Sequence, residues 1–348
     1  IRLLAVCIAI GGAILLAWSL PQWKGTPLPI GVTLAALVPA FTLLAGVFRA
    51  LFQVQYRMHL VFVAEVGQRV ITVVLIGMLL LFGVRESTSI LDYELFLIFG
   101  GVGALFLFLF SFLYARTLFQ CRIQSGGLTM WPFLRAALPY GIAYVCIAVY
   151  RQLDVTLIAL LLPDFQVQNA YYGFAVRLAE MAYLVPTFLL NATLPRLKGN
   201  DDDRQLLIRI LCTLLIFGTT VALVAGVWAT PIMRLLTSEA YLQTGSNAGA
   251  DSALRLLALP MFFNSLILFS FYVLLSRDAW RPLLGVLCVG VLVSLGGNIL
   301  LIPQYGFVGA GITSIGTHAL LCILLLPLVY RVCGPLFGNC AKRDNGVQ

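Results

Sequence analysis

The chain has 348 residues, 61% of them hydrophobic and only 10% charged, with a formal net charge of +8 and a mean hydropathy of +0.99. Soluble globular domains sit near 45–50% apolar and about 25% charged, so a water-covered body is excluded: too little polar surface exists to face solvent. A disordered chain and a nucleic-acid binder are excluded on the same ground, despite a pI of about 9.2.

Apolar runs fall at 3–20, 28–50, 60–84, 93–115, 134–161, 169–193, 206–235, 253–275, 283–302 and 307–331. Each is long enough to cross a bilayer as a helix. Lipid admits helices or closed barrels, and the short alternating segments of a barrel are missing. The reading is an all-α polytopic membrane protein with about ten spans. The longest polar connections, near 116–132, 194–205 and 236–252, leave no room for a soluble domain.

Orientation follows from the lysine and arginine tally. With the Ile1 end on the cytoplasmic side, fifteen basic residues lie inside. Four lie outside (Lys24, Arg85, Arg234, Arg255), and Arg69, Arg151 and Arg177 lie within spans. This asymmetry accounts for the basic pI. It places both ends in the cytoplasm and the protein in the inner membrane as a multi-pass chain.

Internal order suggests parallel repeats. Leu37-Val38-Pro39 with Arg57 parallels Leu259-Pro260 with Arg277. Tyr114-Ala115-Arg116 parallels Tyr330-Arg331. On that register spans one to four match spans seven to ten, and about two further spans are expected before Ile1. The expected organisation is a partial four-span lobe at 1–116, a cytoplasmic linker at 117–132, a six-span lobe at 133–333 and a cytoplasmic tail at 334–348.

Eight cysteines, at 7, 121, 146, 212, 288, 322, 333 and 340, contain no Cys-x-x-Cys pair. They read as small buried hydrophobes. Asp201-Asp202-Asp203 reads as a helix-capping run and a poor metal site. Pro303 reads as a helix stop and Gly306 as a tight turn, and Gly309-Ala310-Gly311 offers a small-residue packing face.

Ionisable residues inside a bilayer are costly and mark candidate sites. Six occur, as Glu65/Arg69, Arg151/Asp154 and Arg177/Glu180, each pair at helical spacing. Spans five and six form a hairpin about Pro163–Gln168. If its centre lies between Phe165 and Gln166, Asp154 is level with Arg177, roughly 15 Å below the turn, and Arg151 with Glu180, roughly 20 Å below it. Each acid would then meet a base across the hairpin. The cluster reads either as a self-neutralised structural set or as a cavity-facing set in which an arginine fork holds phosphate. Glu65/Arg69 reads as an ion pair or a cytoplasmic-side contact. His59 reads as solvated, and His318 as a packing residue or a proton relay.

Two segments carry a family resemblance. One runs from Leu153-Asp154 through Asn169-Ala-Tyr171-Tyr-Gly173-Phe-Ala175-Val-Arg177-Leu-Ala-Glu180 to Pro186 and Ala192-Thr-Leu-Pro195. The other is Asn298 to Ala310, with Ile302-Pro303-Gln-Tyr305-Gly306 at its centre. They resemble the polysaccharide-export, O-antigen (Wzx-type) flippases of the multidrug/oligosaccharidyl-lipid/polysaccharide exporter superfamily. The resemblance implies two helical lobes and alternating access. It also implies flipping of an undecaprenyl-pyrophosphate-linked oligosaccharide, without a cofactor or a catalytic residue. Arg151, Arg177 and Arg69 would contact substrate, with Asp154, Glu180 and Glu65 as coupling or ion-pair acids. The partners implied are the lipid-linked oligosaccharide, the bilayer and a polysaccharide polymerase, and no nucleic acid. A multidrug or small-molecule antiporter on the same fold is the alternative. A membrane-embedded polymerase or glycosyltransferase would need an aqueous catalytic loop, and the outer loops are short.

Overall fold

The computed structural model describes residues 2–23, 25–54, 57–82, 90–118, 130–199, 204–242 and 248–334. The acidic run 201–203, the centre of the 117–132 connection and the tail beyond 334 lie outside the described residues. Among the described residues the elements are all helical: α1 Arg2–Ser19, α2 Leu28–Ala35, α3 Leu37–Val54, α4 Met58–Phe82, α5 Ile90–Leu118, α6 Met130–Leu161, α7 Phe165–Gly199, α8 Arg204–Val227, α9 Ala229–Leu236, α10 Ala250–Ser276, α11 Trp280–Tyr305 and α12 Phe307–Cys333. Nine helical stretches there are long and apolar enough to cross a bilayer, with α2 and α3 counted as one; a tenth, Val6–Ser19, is shorter. The protein is an all-α polytopic membrane protein.

The chain divides into two compact units, Ile1–Gly127 and Leu128–Gln348. In the first, α5 packs on α2, α3 and α4. Small residues permit this approach: a Cβ on Gly101 would sit 3.0 Å from Leu37, and one on Gly103 would fall 2.9 Å from the Gln68 carbonyl. Such small faces are what bring helices together in lipid, where no hydrophobic force acts between them. Phe48 and Phe108 then pack around Phe112 across α3 and α5.

In the second unit α10 is the axle. It packs on α7, α8 and α12, while α11 packs on α6 and α12. In its most apolar stretch 72% of residues are buried, against 28% for α6, α7, α8 and α11. A helix buried on all sides is apolar all round, and the others keep a face for lipid.

Three sequence expectations need correction. The run 206–235 is not one span: α8 ends at Val227, and α9 is a separate eight-residue helix after a break at Trp228. Pro303 does not stop α11, which runs on to Tyr305. The stop is Gly306, whose φ of +59° suits a residue without Cβ. Its neighbour Gly309 is required by contact, because a Cβ there would lie 2.4 Å from the Leu301 carbonyl oxygen. Finally, of the described cysteines only Cys322 is buried; Cys7, Cys212 and Cys288 are exposed, and Cys146 and Cys333 are intermediate. In a bilayer protein the outer surface is itself an apolar environment, so a thiol gains little by going inside.

Candidate functional site

The intramembrane charges of the second unit gather where α6, α7, α10 and α12 meet. Pro163 interrupts α6 after Leu161, and α7 restarts at Phe165. The turn is therefore shorter and earlier than Pro163–Gln168. Gln168 ties it to the neighbouring turn, accepting from the Phe307 N–H at 3.2 Å and donating to Asp164 at 3.0 Å.

This earlier turn changes the register. Asp154 is not level with Arg177. Its carboxylate accepts from the Tyr172 hydroxyl at 2.7 Å, and both residues are buried. Asn169 donates to the Val155 carbonyl at 3.2 Å. Further from the turn Gln152 donates to Glu180, and the Arg151 guanidinium lies 4.7 Å from the centre of the Tyr183 ring. Residues 151 to 155 of α6 thus meet residues 169 to 183 of α7. The contacts farthest from the turn are made by the long side chains of Arg151, Gln152 and Glu180.

The cross-hairpin ion pairs Asp154–Arg177 and Arg151–Glu180 are accordingly absent. Arg177 pairs along its own helix with Glu180, 2.7 Å apart. Its side chain is 69% exposed, against 24% for its partner. Arg151 makes no ion pair among the described residues. A guanidinium over an aromatic face keeps its donors free for another acceptor.

Beneath Arg151 lies a cavity of about 30 Å³, room for about two waters. Its lining mixes polar groups, among them Arg151, Asp154, Glu180 and His318, with apolar ones such as Val176 of α7 and Leu257 of α10. Ligand pockets run to about 300–1,000 Å³, so this space is water-sized. His318 Nδ1 is 2.7 Å from the Ser314 carbonyl oxygen. A ring nitrogen so close to a carbonyl carries a proton and donates it there. The Tyr150 ring packs edge-on against His318 with centroids 5.4 Å apart. Tyr150 is 2% exposed, yet its hydroxyl has no hydrogen-bond partner among the described residues.

Sequence reasoning singled out the charges and missed Tyr150, Gln152, Tyr172 and Tyr183 around them. Their signal was available in part, since each is polar and lies in the same hairpin as the charges. His318 was weighed alone because nothing in the sequence places α12 against α6.

In the first unit Glu65 does not pair with Arg69. It pairs with Arg49 of α3 at 3.0 Å, and Arg69 is exposed. An acid four residues before a base can close such a pair within one helix, but the neighbouring helix offers Glu65 a cation at contact distance.

No protein-family model matches this chain, and no curated protein is significantly similar to it.

Proposed function

We propose that this multi-pass membrane protein is a flippase that carries an undecaprenyl-pyrophosphate-linked oligosaccharide across the bacterial inner membrane. The observation that supports the reading is Arg177. It lies twelve residues into α7, about 18 Å from that helix's end at 1.5 Å per residue. Val167, Met181, Val185 and Phe188 are exposed along the same helix. A charge at that depth facing acyl chains costs about 2.5–3.5 kcal/mol or more and is too far from the headgroups to snorkel. An exposed arginine there fits a face wetted by a transport path. Its planar fork suits a pyrophosphate, with Glu180 as the carboxylate the phosphate displaces. Arg151, free of a carboxylate but lining a water-sized cavity, would engage cargo only once that space widens.

The test is reconstitution of the protein in liposomes loaded with the lipid-linked oligosaccharide, with a lectin reporting arrival in the far leaflet. Arg177→Ala should abolish arrival while the protein still inserts and folds. Arg177→Lys should restore it in part, because an ammonium keeps the charge without the fork. Export by Arg177→Ala at the unaltered rate would overturn the reading. Efflux of a lipophilic cation with no movement of the oligosaccharide would favour the antiporter alternative.

A further inference from the structure

We propose that α9 is an interfacial anchor, a short helix lying in the headgroup layer with its apolar flank on the acyl boundary of the bilayer. This goes beyond the transport reading and does not rest on it.

Four observations carry it. The first is continuity: α8 is a span whose last residue, Val227, is 68% exposed. The chain then breaks at Trp228, and α9 begins at the level where the span ends. The second is the distribution around α9. At 3.6 residues per turn, Ala229 and Met233 share the inward face and are fully buried. Trp228, Leu235 and Leu236 follow on one flank, 56%, 85% and 51% exposed. Thr230 and the exposed Arg234 lie on the opposite flank. An apolar flank, a polar flank and a buried keel are the pattern of a helix lying in an interface, and tryptophan is enriched at that level.

The third is fixation. Thr230 donates to Asp251 at 2.9 Å and accepts from Arg255 at 2.8 Å. These bonds join the polar flank to the start of α10 and set the rotation of α9. The fourth is charge balance. Arg234 and Arg255 are opposed by Asp251 and the exposed Glu239, so the patch carries no net charge. Apolar burial is therefore the attraction, and anionic lipid is not needed for it.

The test places a nitroxide at Leu235→Cys or Arg234→Cys, in a chain whose eight cysteines are replaced, in phosphatidylcholine vesicles. Leu235 is so exposed that labelling it leaves the fold alone. Collisions with oxygen, which partitions into lipid, should exceed those with a water-soluble nickel chelate several-fold at residue 235. The order should reverse at residue 234. The same depths should hold when a third of the lipid is phosphatidylglycerol. Equal nickel access at both sites would overturn the proposal, since α9 would then stand in water. Entry of residue 235 only into anionic vesicles would also overturn it, because charge would then be the anchor. Added undecaprenyl pyrophosphate should leave both signals unchanged. Immobilisation at residue 234 by one equivalent would make the patch a cargo site and sink the bulk-lipid assignment.

Discussion

Tyr172 holds Asp154 across the α6–α7 hairpin by a 2.7 Å hydrogen bond between two buried side chains. The bond sets the register of the helices that carry Arg151 and Arg177. Without the phenol, a carboxylate would be left buried with no side-chain donor.

Tyr172→Phe should therefore destabilise the protein by about 1–3 kcal/mol, the cost of an unsatisfied buried group. Thermal unfolding in detergent would read this. Asp154→Asn keeps an acceptor for the hydroxyl and should cost less. The double variant Tyr172→Phe with Asp154→Ala should cost less than those two singles added, because each of them removes the same bond. Strict additivity would mean that the bond does not form.

Glycine positions separate contact from conformation. Gly309→Ala would drive a Cβ to 2.4 Å from the Leu301 carbonyl oxygen. That is backbone, so it cannot rotate away, and the helix pair must spread at a cost of about 1–3 kcal/mol or more. Gly316→Ala meets nothing within 4 Å on the same helix and should be neutral or stabilising by up to about 1 kcal/mol. Equal melting temperatures for the two variants would refute the close approach of α11 and α12.

The spans were legible because lipid demands about 20 consecutive apolar residues, and every long run duly became helix. The α8–α9 break was not, because Trp228 and Leu235 are apolar and hydropathy does not distinguish an upright helix from one lying flat. Arg151, Asp154, Arg177 and Glu180 stood out as charges in apolar runs. Their partners did not, because the pairing depends on where α7 begins. The turn closes two to three residues earlier than Pro163–Gln168 implies. At about 100° per residue that shift rotates one helix face away from another, bringing Tyr172 to Asp154 in place of Arg177.

The Arg49–Glu65 bridge is half-exposed, at 42% and 26%, and such pairs are worth about 0–1 kcal/mol. A double-mutant cycle on Arg49→Ala and Glu65→Ala should give a coupling of a few tenths of a kcal/mol. The cycle on Arg69→Ala and Glu65→Ala should give none within error. The reverse ranking would restore the pairing within α4.

Solvent access at Arg177 separates a transport path from a lipid-facing helix. In a chain with its eight cysteines replaced, Arg177→Cys and Met181→Cys should react with a membrane-impermeant thiol reagent. Ile216→Cys is the comparison: it is 69% exposed in the stretch 210–227 of the span α8, which holds no charged residue, so it should stay unmodified. Thiols react as thiolates, which form in water and not in hydrocarbon, so reactivity reports wetting and not mere exposure. Arg177→Cys removes the cation from Glu180, and Gln152 still donates to that carboxylate, so the hairpin keeps a partner for it. Cargo added at saturation should slow the reaction at residue 177, since a pyrophosphate bound beside it would cover the thiol. Modification of residue 177 as slow as that of residue 216 would mean that α7 turns this face to lipid, and the flippase reading would fall with it.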